Sequence, residues 1–200
     1  MTRFTHPQIS ASFKMFFAYS TGAESLVLMG RIDTDAPSPP PHLPRPSLRP
    51  IIIPALQYRS VISVVVGDYH YGALTSTGKL LTWGSFSQGA LGLGDPLEIE
   101  AGQPGGFANE EDRRRMRGAS WMALTPPEVR APAKVKFDYG KDGKRREKGK
   151  AREEFVFGVA AAGWHMGALV IDLEVCNMHS CIICLAKLTF SCHIAWRRGL

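Results

Sequence analysis

Two histidines at equivalent positions are the first candidates for chemistry in this chain of 200 residues. The segment Gly67-Asp68-Tyr69-His70-Tyr71-Gly72-Ala73-Leu74 recurs at residues 162–169, with the aromatic residue, the histidine and Gly-Ala-Leu in register. A catalytic histidine needs a nucleophile or carboxylate placed beside it, and such a unique role is not expected to be repeated. We therefore predict that His70 and His165 make structural hydrogen bonds, each within its own repeat unit.

Cysteines near the C-terminal end are the second candidates. Cys181-x-x-Cys184 has the spacing of a zinc site, but Ile182-Ile183 makes a poor turn and no second well-spaced pair exists. A membrane span here would be short and would be interrupted by Lys187. We therefore predict no metal site and no membrane anchor. The other potential ligands in this tail are Cys176, His179, Cys192 and His193.

A glycine-rich run at residues 89–94 superficially suggests a phosphate-binding loop. No Gly-Lys-Ser/Thr follows it, and no helix start is evident. Trp83 is expected to be a packing residue with an N–H group to satisfy. The sequence thus predicts no catalytic residue, no cofactor and no metal ligand.

The elements that carry these residues are predicted to be short β-strands. Val61–Val66 is a β-branched run typical of a strand buried on both faces, and residues 69–75 and 79–83 follow as two more strands. A small antiparallel sheet cannot bury its faces alone, so it implies sibling units. Residues 11–19 and 26–30 align with 66–74 and 80–84 at a spacing of about 55 residues, with Met15 in the histidine position.

This unit resembles the repeats of the regulator of chromosome condensation family, which are seven-bladed β-propellers. Residues 61–95 match the pattern closely, residues 155–172 match its first half, and residues 9–30 match it weakly. The resemblance implies an all-β fold: a partial β-propeller of two to three blades with long irregular insertions. A whole propeller of this family needs about twice as much chain, so a fragment is expected.

Residues 76–85 look more narrowly like the fungal F-box proteins of this family, which recruit substrates to a cullin-based ubiquitin ligase. The resemblance implies a non-enzymatic protein-interaction module, the fragment of an SCF adaptor. The alternatives are a guanine-nucleotide exchange factor for a Ran-like small GTPase and a non-functional truncated product. Protein partners are expected, such as ubiquitin-ligase components or a small GTPase. Binding to a small-molecule substrate, a nucleic acid or a membrane is not expected.

Charge and proline content divide the rest of the chain. Residues 103–154 hold 14 Lys/Arg and 9 Asp/Glu of the chain's 24 and 18, so the net charge of +6 belongs mostly to one insertion. A short helix is predicted at residues 109–116. The basic run 141–152 could contact an anionic partner, act as a nuclear localisation signal or form a solvated loop, and we favour the solvated loop. The proline-rich segment either docks a proline-reading domain or forms an exposed loop, which we favour.

The predicted organisation follows from these boundaries. It comprises a degenerate repeat at 9–35, a Pro-rich loop at 36–50, a complete repeat at 51–95, a basic and largely flexible insertion at 96–154, a half repeat at 155–173 and a non-family tail at 174–200. The family resemblance stops at residue 173. The codons for Val175-Cys176 can contain a sequence that frequently begins a fungal intron. Our hypothesis is therefore that residues 174–200 are translated intron. Lys14 interrupts the only candidate signal peptide, so an intracellular location is expected, cytoplasmic or nuclear.

Overall fold

The chain folds mainly into antiparallel β-sheets. The computed structural model describes residues 7–12, 15–31, 50–85, 89–118, 126–137, 154–172 and 187–189. These residues form three sheets, an α-helix and a single-turn 3-10 helix. The all-β class predicted from the sequence is confirmed.

The strands follow chain order within the first two sheets. The first sheet contains β1 (Pro7–Ala11), β2 (Met15–Ser20), β3 (Val27–Arg31) and β4 (Ile51–Ile52). The second sheet contains β5 (Val61–Val66), β6 (His70–Thr75), β7 (Leu80–Gly84) and β8 (Val129–Lys134). The third sheet contains β9 (Glu154–Ala162), β10 (His165–Asp172) and β11 (Lys187–Thr189), with β10 in the middle. The 3-10 helix is Pro54–Leu56, and α1 is Glu110–Gly118.

The three sheets repeat one pattern. Their second strands begin at Met15, His70 and His165, which are the positions that the sequence alignment makes equivalent. β6 pairs with β5 on one side and with β7 on the other, so each unit is an antiparallel meander. Side-by-side meanders in the same orientation are the arrangement of neighbouring β-propeller blades.

Strand β5 differs from its predicted burial. Val61 and Val64 are buried, but Ile62 is 43% exposed. The pairing of β5 with β6 shifts register between Val61 and Ser63, so Ile62 has no partner across the ladder. A bulge of this kind bends the strand and turns a side chain away from the core. The prediction that Val61–Val66 is buried on both faces is therefore wrong at Ile62.

Two apolar cores hold the sheets together. The first joint, between the first and second sheets, is built around Phe17, whose ring centroid lies 5.1 Å from that of Tyr71 and 5.7 Å from that of Trp83. The second joint, between the second and third sheets, is smaller. Its buried side chains are Leu74, Leu80, Val135 and Val156.

The second sheet takes its last strand from the segment predicted to be an insertion. β8 pairs with β7, with Val129 opposite Gly84 and Lys134 opposite Leu81. Pro132 lies within β8, which the edge position of this strand permits because an edge strand has N–H groups without a ladder partner. The meander that begins at Val61 therefore ends beyond the predicted boundary at residue 95.

The connection from β7 to β8 also contains packed structure. Phe107 and Met116 are buried, and the Arg113 Nε donates to the Leu97 carbonyl at 2.9 Å. α1 begins after Asn109, whose Oδ1 accepts from the Asp112 backbone N–H at 2.8 Å, as an N-cap does. The structure thus has a helix at the predicted position, within the segment 96–154 that the sequence predicts to be largely flexible.

Several predicted segments lie outside the described residues. These are the proline-rich loop except Pro50, the basic run 141–152, and all four cysteines with His179 and His193. In the described part of the chain, no helix is both long and apolar enough to cross a membrane.

Candidate interaction surface at the hairpin end

Two exposed aromatic residues stand together where two sheets meet. Tyr69 lies in the turn from β5 to β6, and Trp164 lies in the turn from β9 to β10. Tyr69 is 54% exposed and Trp164 is 58% exposed, yet their ring centroids are 5.4 Å apart at an interplanar angle of 50°. We call these two residues the aromatic pair, and the end of the sheets that carries these turns the hairpin end.

Backbone hydrogen bonds position the aromatic pair. The Asp68 N–H donates to the Gly163 carbonyl at 2.9 Å, which joins the two turns directly. The Gly67 N–H donates to the His70 carbonyl at 2.9 Å and closes the first turn. The Ser85 N–H donates to the Tyr69 carbonyl at 2.7 Å and ties this turn to the end of β7. The two rings are therefore presented by a fixed backbone.

His70 connects the second sheet to the third. Its side chain is fully buried, and its Nε2 lies 3.2 Å from the His165 backbone carbonyl oxygen. The prediction that this histidine bonds within its own repeat unit is therefore wrong, because its partner belongs to the next sheet. The sequence could not show this, since the packing of one repeat against another brings the two atoms together.

The environment of His70 disfavours its charged form. Burial lowers the pKa of the imidazole below its ordinary value of 6.5, and this outweighs the hydrogen bond to His165 and the charge of Asp68, which act in the opposite direction. The ring Nδ1 is buried with no hydrogen-bond partner among the described residues. The hydrogen-bond partner of the ring is thus a backbone carbonyl of the neighbouring sheet.

His165 occupies the same repeat position in a different environment. It is exposed at the start of β10, whereas its equivalent, His70, is enclosed between two sheets. Among the described residues, no further sheet packs against the other face of the third sheet. The structure therefore separates the two histidines that the sequence treats alike.

The other residues considered for chemistry belong to the core or to turns. Trp83 is 4% exposed and packs on Phe17 and Tyr71, as its predicted packing role requires. In the glycine-rich run, the Gly92 N–H donates to the Gly89 carbonyl, and the Leu91 carbonyl accepts from the Thr82 hydroxyl at 2.7 Å. This run is a packed turn that is not followed at once by a helix, so it lacks the features of a phosphate loop.

A groove of about 350 Å³ lies where the first strands of the three sheets converge. The residues that line it carry no ionisable side chain, and Ser10 uses its hydroxyl to donate to the Val64 carbonyl at 2.6 Å. Such a lining offers no general acid or base. The lining residues are Ser10, Ala11, Val64, Val65, Val66, Val159, Ala160 and Ala161.

Sequence reasoning missed the aromatic pair as a surface feature. An aromatic residue directly before each repeated histidine was visible in the sequence, but its exposure was not. The available signal was position: Tyr69 and Trp164 both lie in tight turns, where a side chain is usually on the surface. Among the described residues, these two are the exposed pair whose aromatic rings contact each other.

Comparisons with known proteins identify the repeat. Residues 61–90 match the family described as regulator of chromosome condensation (RCC1) repeat. The chain is 34% identical over 115 residues to SCF-associated factor 1 of Saccharomyces cerevisiae. The match covers 56% of this chain and 14% of that protein, so this chain spans about a seventh of the relative.

A comparison with solved structures gives a match to Prp20p from Saccharomyces cerevisiae, a protein that binds Gsp1p and histones. The sequence identity is 13% and the TM-score is 0.49, with 86% of this chain and 32% of that chain covered.

Proposed function

We propose that this chain, which carries a repeat of the RCC1 family, is a non-enzymatic protein-interaction module that binds its partner at the hairpin end. The observation that carries this proposal is the aromatic pair: two large rings, each more than half exposed, held in contact at the joint of two sheets. Exposed Tyr and Trp side chains are enriched among the residues that dominate binding energy in protein interfaces.

The fixed geometry of the pair favours binding. A partner that covers the rings removes apolar area from water, and the turns that carry the rings lose little conformational entropy because their backbone is already hydrogen-bonded. The Tyr hydroxyl and the Trp indole N–H also supply polar groups for orientation. The hairpin end therefore offers the elements of a protein contact.

Long connections leave from the same end. β3 ends at Arg31, opposite Met15, and β7 ends at Gly84, opposite His70, so both of these strands end beside the hairpin turns. The chain returns to the first sheet at Ile51 and to the second sheet at Val129. Connections between the strands of a rigid sheet commonly carry recognition.

The finer proposal is that the partner is a component or substrate of an SCF-type ubiquitin ligase. It is supported by the similarity to SCF-associated factor 1. Because the chain spans only 14% of that relative, the partner, the adaptor role and an intracellular location remain part of the proposal.

Association with purified SCF components tests this proposal. We expect the intact chain to bind, and the double variant with Tyr69→Ala and Trp164→Ala to bind at least about tenfold more weakly, because hot-spot truncations commonly cost about 2 kcal/mol or more. Tyr58→Ala is the matched control, since Tyr58 is 67% exposed in the connection to β5, at the opposite end of the sheets. No association, or an equal loss in the control, would contradict the proposal.

A nucleotide-release assay on the same samples addresses the alternative expected from the family resemblance. If the intact chain accelerates release of guanine nucleotide from a Ran-like GTPase, the adaptor role is replaced by an exchange function.

A further inference from the structure

We propose that His70 makes the second joint, and with it the aromatic pair, sensitive to acid: protonation of this histidine opens the contact between the second and third sheets. The effect on partner binding rests on the proposed function, whereas the effect on the joint does not. The repeat pattern alone assigns no such role to this position.

The hydrogen bond of His70 identifies which ring nitrogen is free to take a proton. A backbone carbonyl can only accept, so the contact between His70 Nε2 and the His165 oxygen at 3.2 Å requires the hydrogen on Nε2. The lone pair of the neutral ring is then on Nδ1. That atom is buried and has no hydrogen-bond partner among the described residues. Protonation would therefore place a charged N–H group where the structure offers no acceptor.

Close packing hinders water from solvating that charge while the ring stays in its position. A methyl group added to Gly67 would lie 2.4 Å from the His70 ring, so the ring rests directly on the Gly67 backbone. There is no space on this side for a water molecule to enter. A protonated ring can reach solvent only by leaving its position, and it then gives up the hydrogen bond to His165.

Four influences act on the ring. The hydrogen bond to the His165 backbone and the charge of Asp68, in the preceding turn, favour the protonated form, and the charge of His165, on β10, disfavours it. Burial between the two sheets is the largest influence, and it lowers the pKa of His70. The opened joint, in which the ring meets water, therefore binds the proton more tightly than the closed joint.

The sign of the pH effect follows from this difference. Above pH 6.5, the ordinary value for histidine, the ring is neutral in both forms and the closed joint is fully stable. As the pH falls below 6.5, the opened form takes up a proton first and the closed form loses stability, until the pH reaches the lowered pKa. Acid within this window therefore favours opening.

Opening would loosen the aromatic pair. Tyr69 directly precedes His70, and Trp164 directly precedes His165, whose backbone carbonyl accepts the hydrogen bond from the His70 ring. Once that bond is lost, the two turns are still linked by the hydrogen bond from the Asp68 N–H to the Gly163 carbonyl. The binding surface would thus be assembled at neutral pH and loosened in mild acid.

Thermal unfolding of the full chain at pH 7.5 and 5.5 tests the inference without any partner. We expect the melting temperature of the parent chain to fall by about 3 °C more than that of His70→Gln, which retains a donor but cannot titrate. His165→Gln is the control at the exposed repeat position: it removes only the smallest of the influences on the His70 ring, so it should keep most of the parental pH dependence. The same pH dependence in His70→Gln and the parent would overturn the inference.

A nuclear magnetic resonance titration of the His70 Cε1 proton gives a second readout that does not depend on variant folding. A midpoint below 6.5 supports the inference, and a midpoint at or above 6.5 overturns it. Both measurements use the chain alone. They can therefore contradict the acid-sensitive joint while partner binding at the hairpin end is observed, and they can support the joint while no binding is observed.

Discussion

The two joints between the sheets are built from the same repeat positions but by different means. At the first joint, the strand β2 begins with Met15, and the sheets are held by the aromatic cluster of Phe17, Tyr71 and Trp83. At the second joint, the equivalent position is His70, and the contact combines a small aliphatic core with backbone and imidazole hydrogen bonds. The first joint also has a hydrogen bond, from the Ser10 hydroxyl to the Val64 carbonyl, but its core is larger and aromatic, whereas the second joint includes a buried imidazole.

This difference separates a joint with buried rings from a joint with exposed rings. The rings of the first joint are buried or half-buried inside the core, whereas Tyr69 and Trp164 of the second joint remain more than half exposed. A repeat architecture can therefore use one joint for stability and leave the next for recognition. Exposed aromatic area and a buried histidine both belong to the second joint.

The largest effect on stability is expected at the first joint. Phe17→Ala removes a fully buried ring from the aromatic cluster, so we expect the free energy of unfolding in urea to fall by about 3–5 kcal/mol. Phe157→Ala is the control, because Phe157 is 44% exposed, and it should cost about 1 kcal/mol or less. Equal losses in the two variants would mean that the first joint is not the main source of stability.

An intermediate effect is expected where His70 rests on Gly67. The backbone of Gly67 is not left-handed, so Gly67→Ala acts only through the clash of the new methyl group with the imidazole. We expect a loss of about 1–3 kcal/mol and a much weaker pH dependence of unfolding, because the ring is displaced from its buried position. Gly167→Ala, with no atom within 4 Å of the added carbon, is the matched control. A parental pH dependence in Gly67→Ala would argue against the second joint as the acid-sensitive one.

The smallest effect on stability is expected at the aromatic pair. Trp164→Ala removes one exposed ring, so the free energy of unfolding should fall by only about 1 kcal/mol, although binding should be strongly reduced. Urea unfolding and a binding titration of the same preparation check both parts. A large loss of stability would assign the pair to the core and remove the contrast between the joints.

The sequence predicted much of the local structure. β-branched runs and glycines located β5, β6 and β7 to within one residue, and the repeated pattern made Met15, His70 and His165 equivalent. These features depend on the residues nearest in the chain. Local propensity and turn chemistry therefore sufficed for them.

Other features depend on packing between distant segments, which a single sequence does not reveal. β8 was missed because Pro132 and its alanine neighbours are not typical of a strand. The exposure of Ile62 results from a bulge, and the partner of His70 lies 95 residues away in another sheet. The aromatic pair exists only because two turns from different repeats meet, so the sequence showed its members but not the site.

Photo-crosslinking from the hairpin end tests the central claim most directly. A photoreactive phenylalanine placed at position 164 of the full chain, with the same group at position 58 as the control, would be irradiated with purified SCF components. We predict crosslinks from position 164 and none from position 58. Crosslinks from position 58 alone would place the contact at the opposite end of the sheets and contradict the claim that the hairpin end binds the partner.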